Sequence, residues 1–550
     1  GRSGATKMQY LEIGRGTRQH ALIAGKTGSG KSTLFHVIIT NLALSCSPEQ
    51  VEFYLVDFKK GVEFKCYGSR KLPHAKVVAI ESDREFGLSV LQRVDDELRR
   101  RGDLFRHLGV QDVAGYKHAG GGEPMPRALL MIDEFQEFFT EEDRISQGAA
   151  VLLDRIVRQG RAFGIHVILG SQTLGGAYTL ARATIGQMVV RIALQCNEAD
   201  AYLIMDQDNP APRLLSRPGE GIYNDAAGAI EGNSPFQAVW LSEKQRDDYL
   251  VKIRARADAA GKTDSTPFVF EGNAPADVRE NLLLNSVLAG TVPKNAAPRL
   301  WLGAPNAIKG PTEVVFHRHS GSNLLVAGQG EERTTTMLAV SLIALAAQFP
   351  KGGARFVVLD STPPGFPQRE FLESVIRAVP HEVVTLQKNS LEEIMVLLAA
   401  DLKKRGEDEA APAPETFLFI HGLQNFKRLR AEDDFSFSSG GDGAANPATT
   451  FASLINDGPA RGIHVIATCD TYNNIGRFIG RKALGEFELR VLFQMSASDS
   501  ASLIDTPDAA TLGLHRALFY HDREGYTETF RPYARPANDW LENALRSLKK

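Results

Sequence analysis

Residues 25–33 read GKTGSGKST and set Gly25, Gly30, Lys31 and Ser32 at the spacing G-x-x-x-x-G-K-[ST]. Glycines at those positions let successive backbone N–H groups converge on one point, where they can cradle phosphate oxygens. A helix opening near Ser32 adds its positive end, the Lys31 ammonium can reach the β and γ phosphates, and the Ser32 hydroxyl can ligate Mg²⁺. All nine residues (Gly25, Lys26, Thr27, Gly28, Ser29, Gly30, Lys31, Ser32 and Thr33) are candidates for binding ATP. Such a loop also needs an acidic group from a neighbouring strand. The run ALLMIDEF (128–135) ends in Asp133 and Glu134. Asp133 is the candidate to hold Mg²⁺ through water, beside Ser32, and Glu134 the candidate general base for the attacking water.

Two more apolar runs end in polar groups: VEFYLVD at Asp57, and GIHVILGSQ at Gln172. Gln172 is expected either to sense the γ-phosphate or the lytic water, or simply to satisfy loop backbone. Just before that run, Arg158 and Arg161 in IVRQGRAFG are open to two readings. Each is an arginine finger for a neighbouring subunit's nucleotide, or a cation at a helix C-terminus.

These groups need elements to hold them. HALIA (20–24) runs directly into Gly25, and Leu34 to Leu44 carries apolar residues at helical spacing, so the loop joins a buried strand to a helix. Strands that end in chemistry at one edge are the pattern of an open α/β sheet. At 550 residues the chain exceeds one hydrophobic core. With 43% hydrophobic and 23% charged residues it has globular composition, and no apolar run is long enough to cross a bilayer. The four cysteines lack zinc or disulfide spacing. A net charge of −3 argues against coating nucleic acid with the whole surface but leaves room for a local basic groove.

The segments GKTGSGKST, LVDFKKGVEF, LMIDEFQEF, RQGRAFGIHVILGSQ and RPGEGIYN, in this order, resemble the motor domains of the FtsK/SpoIIIE family of hexameric RecA-like translocases. The resemblance covers about residues 1–245. It implies that Lys31, Ser32, Asp133 and Glu134 form the catalytic core, that Gln172 is the sensor, and that a homo-oligomeric ring, hexameric in the family, drives a polymer through its channel. FK after Asp57, RIALQ (191–195) and PGEG (218–221) are more similar to the ATPases of type VII protein secretion.

The second half repeats the first. NLLVAGQGEERTTT (323–336) stands opposite HALIAGKTGSGKST, RFVVLDSTPPG opposite EFYLVDFKKGV, TFLFIHGLQNF opposite ALLMIDEFQEF, and GIHVIATCDT opposite GIHVILGSQT. The chemistry does not recur: Arg333 and Thr334 replace Gly30 and Lys31, Glu331 and Glu332 put negative charge where phosphates would lie, and His421 and Gly422 replace Asp133 and Glu134. Asn456, Pro459 and Asp470 replace Arg158, Arg161 and Gln172. The expected architecture is α/β, with two tandem RecA-like domains, each a mostly parallel sheet flanked by helices. An active copy spans 1–245, a packed linker 246–300, and a degenerate copy without catalytic residues 301–550. The Gly- and Ser-rich stretch 437–450 is expected to be a surface loop.

The expected activity is ATP hydrolysis, and the expected cargo is duplex DNA, with an exported polypeptide, or a switch that moves nothing, as alternatives. A cytoplasmic location is expected, any membrane anchor lying in sequence upstream of Gly1.

Overall fold

Runs of aliphatic residues buried on both faces belong inside a sheet covered by helices on each side. In this computed structural model they form two such sheets. Residues 1–550 are described except 4–6, 60–62, 176–183, 264, 292–296, 409–412, 432–445 and 550. The chain divides into Gly1–Gly272 and Asn273–Lys550.

The first unit contains β1 (Arg2–Ser3), β2 (Lys7–Met8), β3 (Ala21–Ala24), β4 (Val51–Asp57), β5 (Ala75–Ile80), β6 (Arg127–Asp133), β7 (Ile165–Ser171), β8 (Val190–Leu194), β9 (Glu220–Asn224), β10 (Asn233–Gln237) and β11 (Phe268–Glu271). They lie in the order β11-β5-β4-β6-β7-β3-β8-β9-β10-β1-β2. Pairing is parallel from β11 to β8 and antiparallel from β8 onward. The second unit contains β12 (Arg299–Pro305), β13 (Thr312–Val315), β14 (Leu324–Ala327), β15 (Ala354–Asp360), β16 (Glu382–Thr385), β17 (Glu415–His421), β18 (Ile463–Cys469), β19 (Leu489–Leu492), β20 (Ala517–His521) and β21 (Tyr526–Pro532). Their order, β13-β12-β21-β20-β19-β14-β18-β17-β15-β16, follows the same path through the sheet. The repeat seen as matched motifs is therefore a repeat of topology, and each unit is a mostly parallel α/β domain.

The stretch 246–300 is divided between the units. The Glu243–Ala259 helix packs on the Lys31–Ser45 helix, and β11 extends the first sheet beside β5. The Leu282–Leu288 helix instead buries Leu284 and Val287 in the core of the second unit. The expected loop at 437–450 lies outside the described residues as far as 445. Its last four residues open the Pro447–Asp457 helix, which Asn446 caps. Among the described residues no helix is long and apolar enough to cross a membrane.

Within each sheet the N-terminal strand ends are tied together by the same device. Arg101, on the Arg84–Leu108 helix, is fully buried and donates to Glu97 (2.7 Å), to the carbonyls of Pro126 and Phe163 (both 2.8 Å) and to Glu52 (3.2 Å). It thereby joins the starts of β4, β6 and β7. Arg405, on the Leu391–Glu407 helix, donates to Asp401 (2.9 Å), to the carbonyls of Pro414 (2.8 Å), Arg461 (2.9 Å) and Gly462 (3.0 Å), and to Thr416 (2.8 Å). A guanidinium presents five donors in one plane, enough for several chain ends at once. The repeated GIHVI has a similar basis. His166 Nδ1 bonds the Gln19 carbonyl (3.0 Å) and His464 Nδ1 the Ser322 carbonyl (2.8 Å), and burial pushes both imidazoles down to about 4.

Removing one partner of a buried ion pair strands the other, at a cost of about 3–5 kcal/mol. Arg101→Met should lower the unfolding free energy of the first unit by about that amount, and Arg405→Met that of the second, read as separate shifts in urea unfolding. An unchanged urea midpoint in either variant would remove that arginine from this role.

Candidate functional site

The glycine loop is pinned by its backbone between two strand ends. Gly25 N–H donates to the Ser171 carbonyl (3.1 Å) and Lys26 N–H to the Gln195 carbonyl (2.8 Å). Gly28 and Gly30 adopt φ of 80° and 99°, the left-handed region where only glycine is free of Cβ strain. Gly30 is the N-cap of the Lys31–Ser45 helix and brings no side-chain acceptor, so the first-turn N–H groups have no side-chain cap. Lys26, Thr27 and Gly28 are exposed, Ser29 and Lys31 buried, and Ser32 and Thr33 half-buried. The turn carrying PGEG braces the loop: Gly219 N–H donates to the Ser29 carbonyl (2.8 Å), and a Cβ on Gly30 would come within 3.3 Å of the Gly219 backbone.

Lys31 reaches the acidic pair. Its Nζ bonds an Asp133 oxygen and, at 2.7 Å, Glu134 Oε1, with all three side chains buried. Glu134 Oε2 accepts from Gln136 Nε2 (2.7 Å) and from the Gln172 N–H (3.0 Å). Burial raises the Glu134 carboxyl, but the Lys31 charge and these donors together outweigh it and hold the group below the usual carboxylate range. Deeper burial pushes Asp133 up, against the pull of Lys31. Glu134 stands at φ 55°, a left-handed conformation for a side chain that gains nothing locally from it. The equivalent residue of the second unit is Gly422, at φ 75°.

Asp57 lies beside Asp133, the two paired directly in register on β4 and β6. Burial pushes Asp57 up to about 7, and the nearby Asp133 charge adds to the rise. Gln172 is tied to the loop, since its Oε1 accepts from the Thr27 hydroxyl (2.9 Å). Lys31, Ser32, Asp133, Glu134 and Gln172 thus converge on one edge of the sheet. Arg158 and Arg161 do not join them. Both are exposed near the end of the Arg144–Phe163 helix, which enters β7 at its N-terminal end, about 20 Å of strand away from that edge. Arg158 pairs with Asp154 at 2.8 Å.

Four further residues shape the site without having been marked as chemistry in the sequence. Gln136 holds Glu134; its counterpart Gln424 survives in the second copy, so comparing the copies gives no signal. Gly170 makes room: a Cβ there would lie 2.7 Å from Asp133 Oδ1 and from the Phe35 ring. Gly219 braces the loop. Glu63 lies 3.5 Å from His36 Nε2, and His36 and the Ser32 hydroxyl hold its carboxyl low.

The donors fit a magnesium ion. Ser32 and Asp133 offer hard oxygen ligands beside the loop, and among the described residues no three His, Cys, Asp or Glu side chains gather into a self-sufficient metal site. A cation that depends on one carboxylate, one hydroxyl and substrate phosphates is the usual arrangement for Mg²⁺.

The second unit fills the same space with its own side chains. The Arg333 guanidinium folds back to 2.8 Å from where a Gly330 Cβ would stand, lies 4.6 Å from the centre of the Phe493 ring, and donates to the Gln329 carbonyl (3.1 Å). Thr334 Oγ1 lies 3.0 Å from the Glu331 carbonyl of its own helix and 3.4 Å from His421 Nε2. His421 bonds Asp360 (2.9 Å), and Asp470 accepts from Asn474 (2.8 Å).

Residues 5–175 match the family model of FtsK/SpoIIIE. Among curated relatives, the ESX-5 secretion system protein EccC5 of Mycobacterium tuberculosis is 33% identical over 244 residues, covering 42% of this chain and 16% of that protein. The DNA translocase FtsK of Streptococcus agalactiae is 29% identical over 254 residues, covering 44% of this chain and 29% of that protein. The chain therefore spans under a third of either relative. Among solved structures, the cytoplasmic domain of the Thermomonospora curvata type VII secretion ATPase EccC superposes with TM-score 0.64 at 20% identity, over 97% of this chain and 63% of that one. EssC (ATPases 2 and 3) from Geobacillus thermodenitrificans superposes with TM-score 0.57 at 15% identity, over 94% of this chain and 91% of that one. At such identities these two establish a shared fold of tandem domains.

Lys31→Ala is expected to abolish ATP binding, whereas Glu134→Gln should retain ATP and lose turnover by about 10²-fold or more, the contribution of a positioned general base. Nucleotide binding and steady-state hydrolysis measured on both variants separate the two roles. Parental turnover in Glu134→Gln would remove that carboxylate from catalysis.

Proposed function

The first unit carries an ATPase domain of the FtsK/SpoIIIE family, and on that premise we propose that the chain is an ATP-driven motor whose one hydrolytic site lies at Lys31, Asp133 and Glu134. The observation that carries this is the buried contact of Lys31 with both carboxylates beside a glycine loop that leaves the Lys31–Ser45 helix without a side-chain cap. In this reading Gly25 to Thr33 wrap the phosphates with backbone N–H groups, and Lys31 turns from the acidic pair to the β and γ oxygens. Ser32 and Asp133 would hold Mg²⁺, which would neutralise developing phosphate charge when bound. Release of Lys31 frees Glu134 Oε1 to orient water and take its proton, while Gln136 and the Gln172 N–H keep Oε2 fixed. Gln172, bonded to Thr27, reports the state of the loop to β7.

The second unit serves as a non-hydrolysing partner in this proposal. Arg333 fills the turn and Glu331, Glu332 and His421 disfavour phosphate and Mg²⁺. The cargo reading we favour is a polypeptide, supported by the retention of a whole second domain without its phosphate chemistry and by the sequence likeness to EccC5. Duplex DNA is the second reading, supported by the likeness to FtsK over a similar span.

The position of Arg158 and Arg161, at the opposite edge from their own Lys31, supports action on a neighbour's nucleotide in a ring. Mixing Lys31→Ala chains with Arg158→Ala/Arg161→Ala chains should then restore part of the turnover that each lacks alone. No recovery in mixtures shown to co-assemble counts against a finger in trans. The cargo is tested by titrating random-sequence duplex DNA into ATP hydrolysis at low and high salt. A polypeptide motor should give a flat response at both. Stimulation that grows with duplex length and falls steeply with salt, as phosphate contacts release counterions, would turn the assignment to DNA.

A further inference from the structure

We propose that Asp57 is a second acidic residue on the metal side of this site, its free carboxylate oxygen holding a water of the Mg²⁺–ATP complex beside Ser32 and Asp133. This rests on the reading of the first unit as a Mg²⁺–ATP site. Residues paired in register on adjacent parallel strands project to the same face, and Asp57 and Asp133 are so paired at the ends of β4 and β6. Asp57 is wholly buried; its Oδ1 accepts from the Lys59 N–H (2.9 Å), but its Oδ2 has no hydrogen-bond partner among the described residues. An orphaned oxygen on a buried carboxylate is costly, and a bound ion or its water accounts for it. Lys31 is already committed to Asp133 and Glu134.

The second unit shows what the same position does when the neighbouring aspartate is gone. Asp360 is paired in register with His421, and its Oδ1 accepts from the Thr362 N–H (3.0 Å), the Thr362 hydroxyl (2.7 Å) and His421 Nδ1 (2.9 Å). Side chains at these two positions therefore reach each other. With Asp133 in place of the histidine, two acidic groups stand side by side with no hydrogen bond between them, and a cation with its hydration shell would relieve their repulsion. Magnesium usually keeps several waters, so a carboxylate one shell out is a natural partner.

Asp57→Asn tests this, because it keeps an oxygen for the Lys59 N–H and removes only the charge. The measurement is binding of a fluorescent ATP analogue against Mg²⁺ concentration and in EDTA, with the Mn²⁺ electron paramagnetic resonance signal of the ternary complex as a second readout. Loss of an outer-shell partner should raise the half-saturating Mg²⁺ at least about tenfold and perturb the Mn²⁺ signal, while binding in EDTA is no weaker than in the parent. Asp57→Ser, which keeps a short oxygen acceptor, should give the same shift and replaces the asparagine variant if that fails to fold. Parental Mg²⁺ dependence in the folded Asp57 variant, with Asp133→Asn shifted, overturns the inference and leaves the metal reading intact. Parental dependence in Asp133→Asn as well overturns the metal reading itself.

Discussion

A buried lysine ammonium shared by two carboxylates sets the terms for everything around it. Charges removed from water are stable only when paired and hydrogen-bonded, and Lys31, Asp133 and Glu134 are all almost wholly enclosed. Each neighbour can be read as a condition of that triad. Gly170 leaves the volume that Asp133 and Phe35 occupy, Gln136 and the Gln172 backbone saturate the outer oxygen of Glu134, and the glycines of the loop let the helix begin where Lys31 can reach inward. Glu134 itself sits in a left-handed conformation that costs a non-glycine residue about 1–3 kcal/mol. Glycine at the matching position of the second unit shows which residue the backbone alone would choose.

The two units separate the requirements of folding from those of chemistry. At the N-terminal edge of each sheet the same arginine and histidine bonds recur: Arg101 with Arg405, His166 with His464. Chain ends left without partners there would expose buried carbonyls whatever the protein does. At the C-terminal edge the units have diverged at the loop lysine, the acidic pair and Gln172, and in the second unit His421 bonds Asp360 and Asp470 bonds Asn474. His421 with Asp360 and Arg333 over Phe493 convert a ligand cradle into ordinary structure.

The bonds from Gln172 make the site more than a set of catalytic groups. Its side chain accepts from Thr27 on the loop and its backbone N–H holds Glu134, so a change at either is felt at the end of β7. β7 lies between β6 and β3 in the sheet and receives the Arg144–Phe163 helix at its other end, where Arg158 and Arg161 are displayed. One strand therefore runs from the loop edge of the domain to the edge where Arg158 and Arg161 are displayed.

The sequence by itself determined the α/β class, the repeat, the loop residues, the acidic pair at a strand end and the absence of those residue types from the second copy. These are encoded in short spacings, strand ends and residue types that local physics reads directly. What stretch 246–300 does was not legible, because whether a helix or strand joins one sheet or another depends on which edge is open, and no local pattern records that. Nor were Gln136, Gly170 and Gly219, whose importance lies in groups far away in the chain: an oxygen to satisfy, a carboxylate to accommodate, a backbone to brace. Only the tertiary structure put Asp57 at Asp133's register with one oxygen unpaired, and placed Arg158 and Arg161 at the edge opposite their own Lys31. Both facts come from strand order and direction, which fix distance in space independently of distance in sequence.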